Sequence, residues 1–312
     1  MIKKLLDEIK KYNTIIIHRH DRPDLDALGS QIGLKLVLKD NYPEKNIYAV
    51  GDESKRYSFI GKMDNIDDSL YNDALVIIVD VAVESLVSDK RYKNAKEIFI
   101  IDHHNNNSDI SNNWICDTSK IAAAELIAKI LMDNNFKISS EAATAFYGGI
   151  ITDSGRFLYG SRLDETFIIA SKLISLGADA KYIYDNIYVE PLEKRRMSSY
   201  FSQKFIVEDG VAYLKNRSDV FDMFNVDFQD VSRGMVSVMA GIDEISIWLN
   251  FTEDKINDKI VGEFRSRKLP IVEIAKSFGG GGHSLACGAP FKTWDEVDKA
   301  ILVFKKYLKE NS

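Results

Sequence analysis

Only two cysteines, Cys116 and Cys287, occur in 312 residues, and they share no paired spacing. No disulfide framework is expected, and the two read as reduced structural thiols. No segment reaches the roughly 18 uninterrupted apolar residues that a membrane span requires. The opening MIKKLLDEIKKYN has lysines but no long apolar stretch, so the expected location is cytoplasmic, with no membrane partner. Positive charge is not in excess either: Lys plus Arg is 41 against 47 for Asp plus Glu, a formal charge of −6. That balance disfavours a broad binding face for long nucleic acid, duplex included, and leaves room for a small anionic ligand held by a few placed cations. Internal repeats and low-complexity segments are absent. What is present, 45% hydrophobic and 28% charged residues, is the composition of a globular protein, and the length predicts two domains with separate cores.

The first half alternates β-branched apolar runs with longer amphipathic stretches: TIIIH at 14–18, ALGSQIGLKLVLKD at 27–40, ALVIIVD at 74–80 and EIFIID at 97–102. This is the pattern of an α/β domain with a buried, mostly parallel, doubly wound sheet. SSEAATAFYGGIIT reads as a helix that ends at Asp153, and helical patterns continue to about residue 200. Pro191 and the polar stretch after it mark the boundary, so the expected division is residues 1–188, a linker at 189–202, and a smaller α/β domain at 203–312. In that second part, strand patterns at KFIVEDGVAYLK, ISIWLNFTED and KIVGEFRSR surround a helical SRGMVSVMAGID. The helix IVEIAKSF then runs into four glycines, and WDEVDKAILVFKKYLKE forms a terminal helix.

All five histidines fall in three short clusters: His18 and His20 in IIIHRHDRPDLDALGS, His103 and His104 in IFIIDHHNNN, and His283 in GGGGHSLACGA. His20, Asp24 and Asp26 have the spacing H-x-x-x-D-x-D. Alone they are also what a turn around Arg22-Pro23-Asp24 contains, and Asp80 after VIIV is also what a helix N-cap looks like. Asp102-His103-His104 at the end of a buried strand is harder to place in a core, because such groups need polar partners there. Ligands of open α/β sheets bind beyond the carboxyl ends of the strands, where His20, Asp80 and His103 all fall. Asp24, Asp26, Asp80 and Asp153 supply four negative charges, which match two divalent cations. This oxygen-rich set with one imidazole per metal suits Mn²⁺. Such a pair can lower the pKa of a shared water and hold it for in-line attack on phosphorus, and Asp80 is the natural bridging ligand.

These four segments, in this order and spacing, resemble the four motifs of the DHH phosphoesterase superfamily, named for its Asp-His-His triplet. FRSRKLPIVEIAKSFGGGGHSLACGA resembles the signature of the DHH-associated domain. The resemblance spans nearly the whole chain. It implies that His20, Asp24 and Asp80 hold one Mn²⁺ and that Asp26, Asp80, His103 and Asp153 hold the other, with Mg²⁺ or Co²⁺ as substitutes. It places His104 beside the scissile phosphate as a catalytic residue and Asp102 behind it orienting an imidazole. His18 has no metal role in the pattern and reads as structural.

In the second domain glycines let backbone N–H groups approach an anion, and arginine and histidine add charge-assisted hydrogen bonds. The expected substrate-binding set is Arg265, Ser266, Arg267, Gly280, Gly281, Gly282 and His283, gripping the end of the nucleotide away from the metals, with the active site in the cleft between the domains. Within the superfamily the architecture is most similar to the nanoRNase type. The resemblance therefore implies a hydrolase that degrades short oligoribonucleotides and removes the 3′-phosphate of 3′-phosphoadenosine 5′-phosphate (pAp). The alternatives are a cyclic-dinucleotide or linear-dinucleotide phosphodiesterase and a RecJ-like single-strand exonuclease. Short RNA and pAp are thus the expected partners, and a homodimer is compatible with the pattern.

Overall fold

The computed structural model describes residues 1–105, 107–159 and 162–311. The chain divides into two compact units, Met1–Val189 and Glu190–Ser312.

The first unit is built on a five-stranded parallel sheet in the order β2-β1-β3-β4-β5, from Asn46–Ala49, Thr14–His18, Ala74–Val79, Glu97–Asp102 and Trp114–Cys116. Every residue of β3 is buried, as expected for a central strand covered on both faces, and this explains its unbroken apolar run. On one face the sheet packs against α1 (Ile2–Lys11), α2 (Leu25–Asn41), α3 (Ala123–Asp133) and α4 (Ser140–Asp153) through a core that includes Leu34, Ile77, Phe99 and Phe146. On the other face Ile16, Val76, Ile78 and Ile100 pack with Tyr71 and Tyr92 from short 3-10 turns. Helices α2 and α4 approach closely because Gly29 faces the backbone of Ala145, where an added Cβ would come within 2.3 Å of its carbonyl oxygen. His18 ends β1 fully buried, and its Nε2 lies 3.1 Å from the Tyr71 hydroxyl, which fits the structural reading. Two further helices, α5 (Leu163–Ser175) and α6 (Ala180–Tyr188), complete the unit.

The stretch 189–202, expected as a linker, is in large part helix: α7 runs over Leu192–Lys204, and its Met197 and Phe201 are buried with Leu214, Val231 and Ile245 of the second unit. Beyond it lies a six-stranded mixed sheet in the order β10-β11-β9-β8-β7-β6. Its strands are β6 (Ile206–Glu208), β7 (Val211–Asn216), β8 (Ile247–Asp254), β9 (Lys259–Ser266), β10 (Gly281–His283) and β11 (Ala286–Phe291). The helices between and after them are α8 (Asp219–Phe224), α9 (Phe228–Ser232), α10 (Val272–Ser277) and α11 (Trp294–Asn311). The helical expectation for residues 232–243 resolves into the end of α9 and a 3-10 turn at Val236–Met239. The four glycines do not form one open loop, since Gly281 and Gly282 begin β10 and pair antiparallel with Gly288 and Cys287. Among the described residues no helix is long and apolar enough to cross a membrane.

Candidate active site

The carboxyl ends of β1, β3 and β4 lie side by side in the sheet, and the polar segments that leave them carry the histidines and acids. His20 stands two residues past β1. Its neighbour Arg19 is fully buried, donates to the His20 carbonyl at 2.8 Å and also reaches the Asp52 carbonyl. Asp24 caps α2 by accepting the Ala27 N–H at 2.9 Å, and Asp26 lies in the first turn of that helix. Asp80 immediately follows β3 in a left-handed conformation, φ 58°, an uncommon state that Asp tolerates better than most residues. Asp153 is the last residue of α4.

His20 Nε2 lies 3.4 Å from Asp80 Oδ2 and 3.8 Å from Asp24 Oδ1. His103 Nε2 lies 3.4 Å from Asp80 Oδ1, 3.5 Å from Asp153 Oδ2 and 3.8 Å from Asp26 Oδ2. The side chains thus form two adjoining sets, His20–Asp24–Asp80 and Asp26–His103–Asp153, each with atoms close enough to share one cation, and a third grouping, Asp80–His103–His104, overlaps both. Asp80 turns one oxygen toward each. The other ring nitrogens are tied down: His20 Nδ1 sits 2.6 Å from the Asp21 carbonyl and His103 Nδ1 3.3 Å from that of Lys120. A carbonyl can only accept, so both Nε2 atoms are left as lone-pair donors toward the carboxylates in the neutral ring.

His104 is arranged differently. Its Nδ1 is 2.8 Å from Asp102 Oδ1, the same oxygen that accepts the backbone N–H groups of His103 and His104 at 2.8 and 3.2 Å. Asp102 is fully buried while the His104 side chain is half exposed. The imidazole that Asp102 orients is therefore that of His104.

The electrostatics fit a divalent cation pair. Burial raises the Asp26 carboxyl well above its ordinary range, and the charges of Asp80 and Asp153 add to this. Burial with Asp24 and Asp80 pushes Asp153 up to about 7. Burial weighs against a proton on His20 and His103, but their carboxylate neighbours outweigh it and hold the imidazoles at about 10 and about 9. Asp24 moves the other way: despite burial, the His20 ring and the Ala27 N–H keep it below the usual carboxylate range. Among the described residues Asp80 Oδ1 and His103 Nε2 are buried without a hydrogen-bond partner. Crowded carboxylates with orphaned oxygen and nitrogen atoms are the donor set of hard or borderline divalent ions.

In the second unit Arg265 projects from β9 into a cavity of about 670 Å³ lined also by Arg233, Lys259, Gly281, Gly282 and His283. Its guanidinium donates to the Phe264 carbonyl at 2.8 Å and lies 3.3 Å from Glu263 Oε2. Gly282 has φ +133°, and a Cβ there would meet the Cys287 Cα at 2.7 Å. Gly280 is packed against β11, where a Cβ would come within 2.0 Å of the Gly288 carbonyl oxygen, so its role is close strand approach. Ser266 and Arg267 are not brought to this cavity. Ser266 is buried and its Oγ accepts the Leu269 N–H at 3.0 Å, because strand alternation sends it to the face opposite Arg265. The guanidinium of Arg267 reaches the Ile242 carbonyl and Asp243.

Sequence reasoning did not single out Arg19, nor the backbone groups that aim the ligating side chains: the Lys120 carbonyl and the N–H groups of Ala123 and Ala124, which donate to Asp26 at 2.7 and 2.9 Å. Backbone groups carry no residue-type signal.

The model of the DHH family N-terminal domain matches residues 14–150, and that of the DHHA1 domain matches residues 221–310. The bifunctional oligoribonuclease and PAP phosphatase NrnA of Bacillus subtilis is 33% identical over 315 residues, covering 100% of both chains. The chain belongs to the DHH family. The protein of the same name from Mycoplasma pneumoniae is 31% identical over 96% of this chain and 94% of its own. Among solved structures, an exopolyphosphatase-related protein from Bacteroides fragilis superposes with a TM-score of 0.84 at 24% identity, over 99% of this chain and 97% of that one. The resemblance read from the four motifs is thereby borne out. This DHH protein is a phosphoester hydrolase with the α/β architecture expected of it.

Proposed function

We propose that the protein degrades short oligoribonucleotides and removes the 3′-phosphate of pAp. The observation that carries the reading is the pair of adjoining imidazole–carboxylate sets that share Asp80, in a chain that aligns end to end with relatives named for those two activities. His20, Asp24 and Asp80 would hold one divalent cation, and Asp26, Asp80, His103 and Asp153 the other. The oxygen-rich donors with one imidazole each favour Mn²⁺, with Mg²⁺ or Co²⁺ as substitutes. Bound there, the cations supply Lewis acidity toward a phosphoryl oxygen and lower the pKa of a water.

The chain's own groups do the rest. His104, with Nδ1 held by Asp102 and its pKa raised first by that hydrogen bond, presents its free edge as a donor to the reacting phosphate. Arg265, His283 and the N–H groups of Gly281 and Gly282 hold a terminal phosphate by charge-assisted hydrogen bonds. The test is a side-by-side assay with added Mn²⁺ on pAp, 5′-phosphorylated RNA of two to about five nucleotides, cyclic di-AMP and pyrophosphate. Turnover of pAp and short RNA is expected. Exclusive turnover of the cyclic dinucleotide, or processive degradation of long single strands, would replace this reading by the cyclic-dinucleotide phosphodiesterase or the RecJ-like exonuclease.

A further inference from the structure

Three strands deliver the ligating groups at the carboxyl edge of the first sheet: β1 with His20 and Asp24, β3 with Asp80, and β4 with His103. Strand β2 is parallel to β1 and hydrogen-bonded to it, so the segment that leaves β2 emerges at the same edge, next to the His20 loop. It contributes none of the acids or imidazoles. What it carries instead is Lys55-Arg56-Tyr57-Ser58-Phe59, cations interleaved with aromatic rings.

The geometry of this segment is that of a built surface. The Tyr57 N–H is held by Ser54 Oγ at 3.4 Å, and the Ile60 N–H by the Tyr57 carbonyl at 3.0 Å. Phe59 stands edge-on to Tyr182 of α6 with centroids 5.8 Å apart, and the Tyr182 hydroxyl donates to the Phe59 carbonyl at 3.0 Å. Tyr57 is half-buried against the core, with its ring edge-on to Phe59 at 6.3 Å. The exposed Arg56 guanidinium stacks on Tyr57 at 5.1 Å from the ring centroid. Neither Lys55 nor Arg56 makes an ion pair among the described residues, whereas Lys35, Arg91 and Lys120 do. Burial holds the Tyr57 phenol above its ordinary pKa, opposed by the Arg56 charge and aided by Asp24 and Asp153. The ring thus lies on the segment that leaves β2 at the edge of the sheet where the His20 loop leaves β1.

We infer that Arg56 and Tyr57 form a nucleotide-binding strip of the active site, with the Tyr57 ring stacking on a base of the substrate and the Arg56 guanidinium meeting its phosphates. Aromatic rings accept any base face, and arginine adds both charge and stacking. Such a strip supplies, on the catalytic unit itself, a preference for nucleotides over other phosphate esters. The inference rests on the proposed nucleotide substrate.

The experiment measures KM and kcat for pAp and for its abasic analogue, ribose 3′,5′-bisphosphate, together with calorimetric binding of pAp, in wild type, Arg56→Ala, Tyr57→Ala and Tyr57→Phe. Wild type should favour pAp over the abasic compound. Tyr57→Ala should raise KM for pAp about tenfold with kcat changed far less, and should erase the discrimination against the abasic compound. Tyr57→Phe should restore it, and Arg56→Ala should raise KM for both compounds. If Tyr57→Ala fails to fold, Tyr57→Leu and the exposed Arg56→Ala decide the matter. Unchanged KM and retained base discrimination in the folded variants would overturn the strip. A wild-type protein that binds pAp without cleaving it would sink the proposed activity, and the strip would then stand or fall on the binding ratios. A wild-type protein that binds no pAp would remove both.

Discussion

Asp102 Oδ1 lies 2.8 Å from His104 Nδ1, beneath an imidazole whose other edge is half exposed. The carboxylate fixes the ring's direction and raises its pKa, with burial opposing the effect less strongly. His104→Ala should therefore keep two bound metals by elemental analysis and lose kcat. In Asp102→Asn the imidazole loses the hydrogen bond that favours its charged form, so its pKa falls back toward the ordinary value. If protonated His104 serves the reaction, the alkaline limb of the kcat profile moves to lower pH in Asp102→Asn. Loss of metal in His104→Ala, or an unmoved alkaline limb in Asp102→Asn, would contradict the role.

Asp80 Oδ1 faces His103 and Oδ2 faces His20, so one substitution removes charge from both sets. Asp80→Asn should lower kcat by at least ~10³ and weaken metal retention. The backbone supports this choice of variant, since asparagine also tolerates the left-handed conformation at φ 58°. Circular dichroism should show an unchanged fold. A folded, metal-loaded variant with near-normal kcat would remove Asp80 from the reacting centre.

The same carboxylates that would hold cations hold protons without them. With His20 at about 10, His103 at about 9 and Asp153 at about 7, both imidazoles are protonated at pH 7 in the metal-free protein, while a metal ligand must be deprotonated. Metal binding should release protons, and apparent affinity should rise with pH until the solution passes the higher of these values. Titration calorimetry of Mn²⁺ in buffers of different ionisation enthalpy reads the proton count directly. An affinity independent of pH between 6 and 8 would show that the imidazoles are not displaced ligands. Chelation should abolish turnover and Mn²⁺ should restore it.

Much of this site was legible because it is made of side chains at the ends of buried strands. β1, β3 and β4 announce themselves as unbroken β-branched runs, and the polar residue after each run stands out by contrast. The edge strands β2 and β5, four and three residues long, are too short to form a periodic signal, so the position of the Arg56–Tyr57 segment beside the His20 loop emerged only from the sheet order. Asp26 shows a different limit. Its spacing from His20 marks it as a ligand, yet it also accepts the N–H groups of Ala123 and Ala124 at the start of a helix 97 residues away, a cap that no local pattern encodes. The glycine run predicts backbone N–H groups that approach an anion, whereas pairing of β10 with β11 uses part of it for strand contact. Ser266 fails to join Arg265 because it takes the opposite face of β9, and Arg267 because it lies past the end of that strand with its guanidinium held by the Ile242 carbonyl and Asp243, neither of which a motif read as a string reveals.

That alternation gives the last prediction. Arg265, Gly281, Gly282 and His283 line one cavity with Arg233 and Lys259, while Ser266 Oγ is spent on the Leu269 N–H. Arg265→Ala should weaken binding of pAp by roughly 1.5 to 3 kcal/mol, the scale of a hydrogen bond to a charged group, and leave metal content unchanged. Ser266→Ala should instead act on stability, by about 0.5 to 1.5 kcal/mol for a lost internal hydrogen bond, with KM close to wild type. Urea unfolding and steady-state kinetics on the two variants separate these outcomes. If Arg265→Ala loses activity equally on substrates with and without a terminal phosphate, the guanidinium is not the phosphate grip. A KM effect of Ser266→Ala as large as that of Arg265→Ala would mean that both faces of β9 meet the substrate, which the burial of Ser266 argues against.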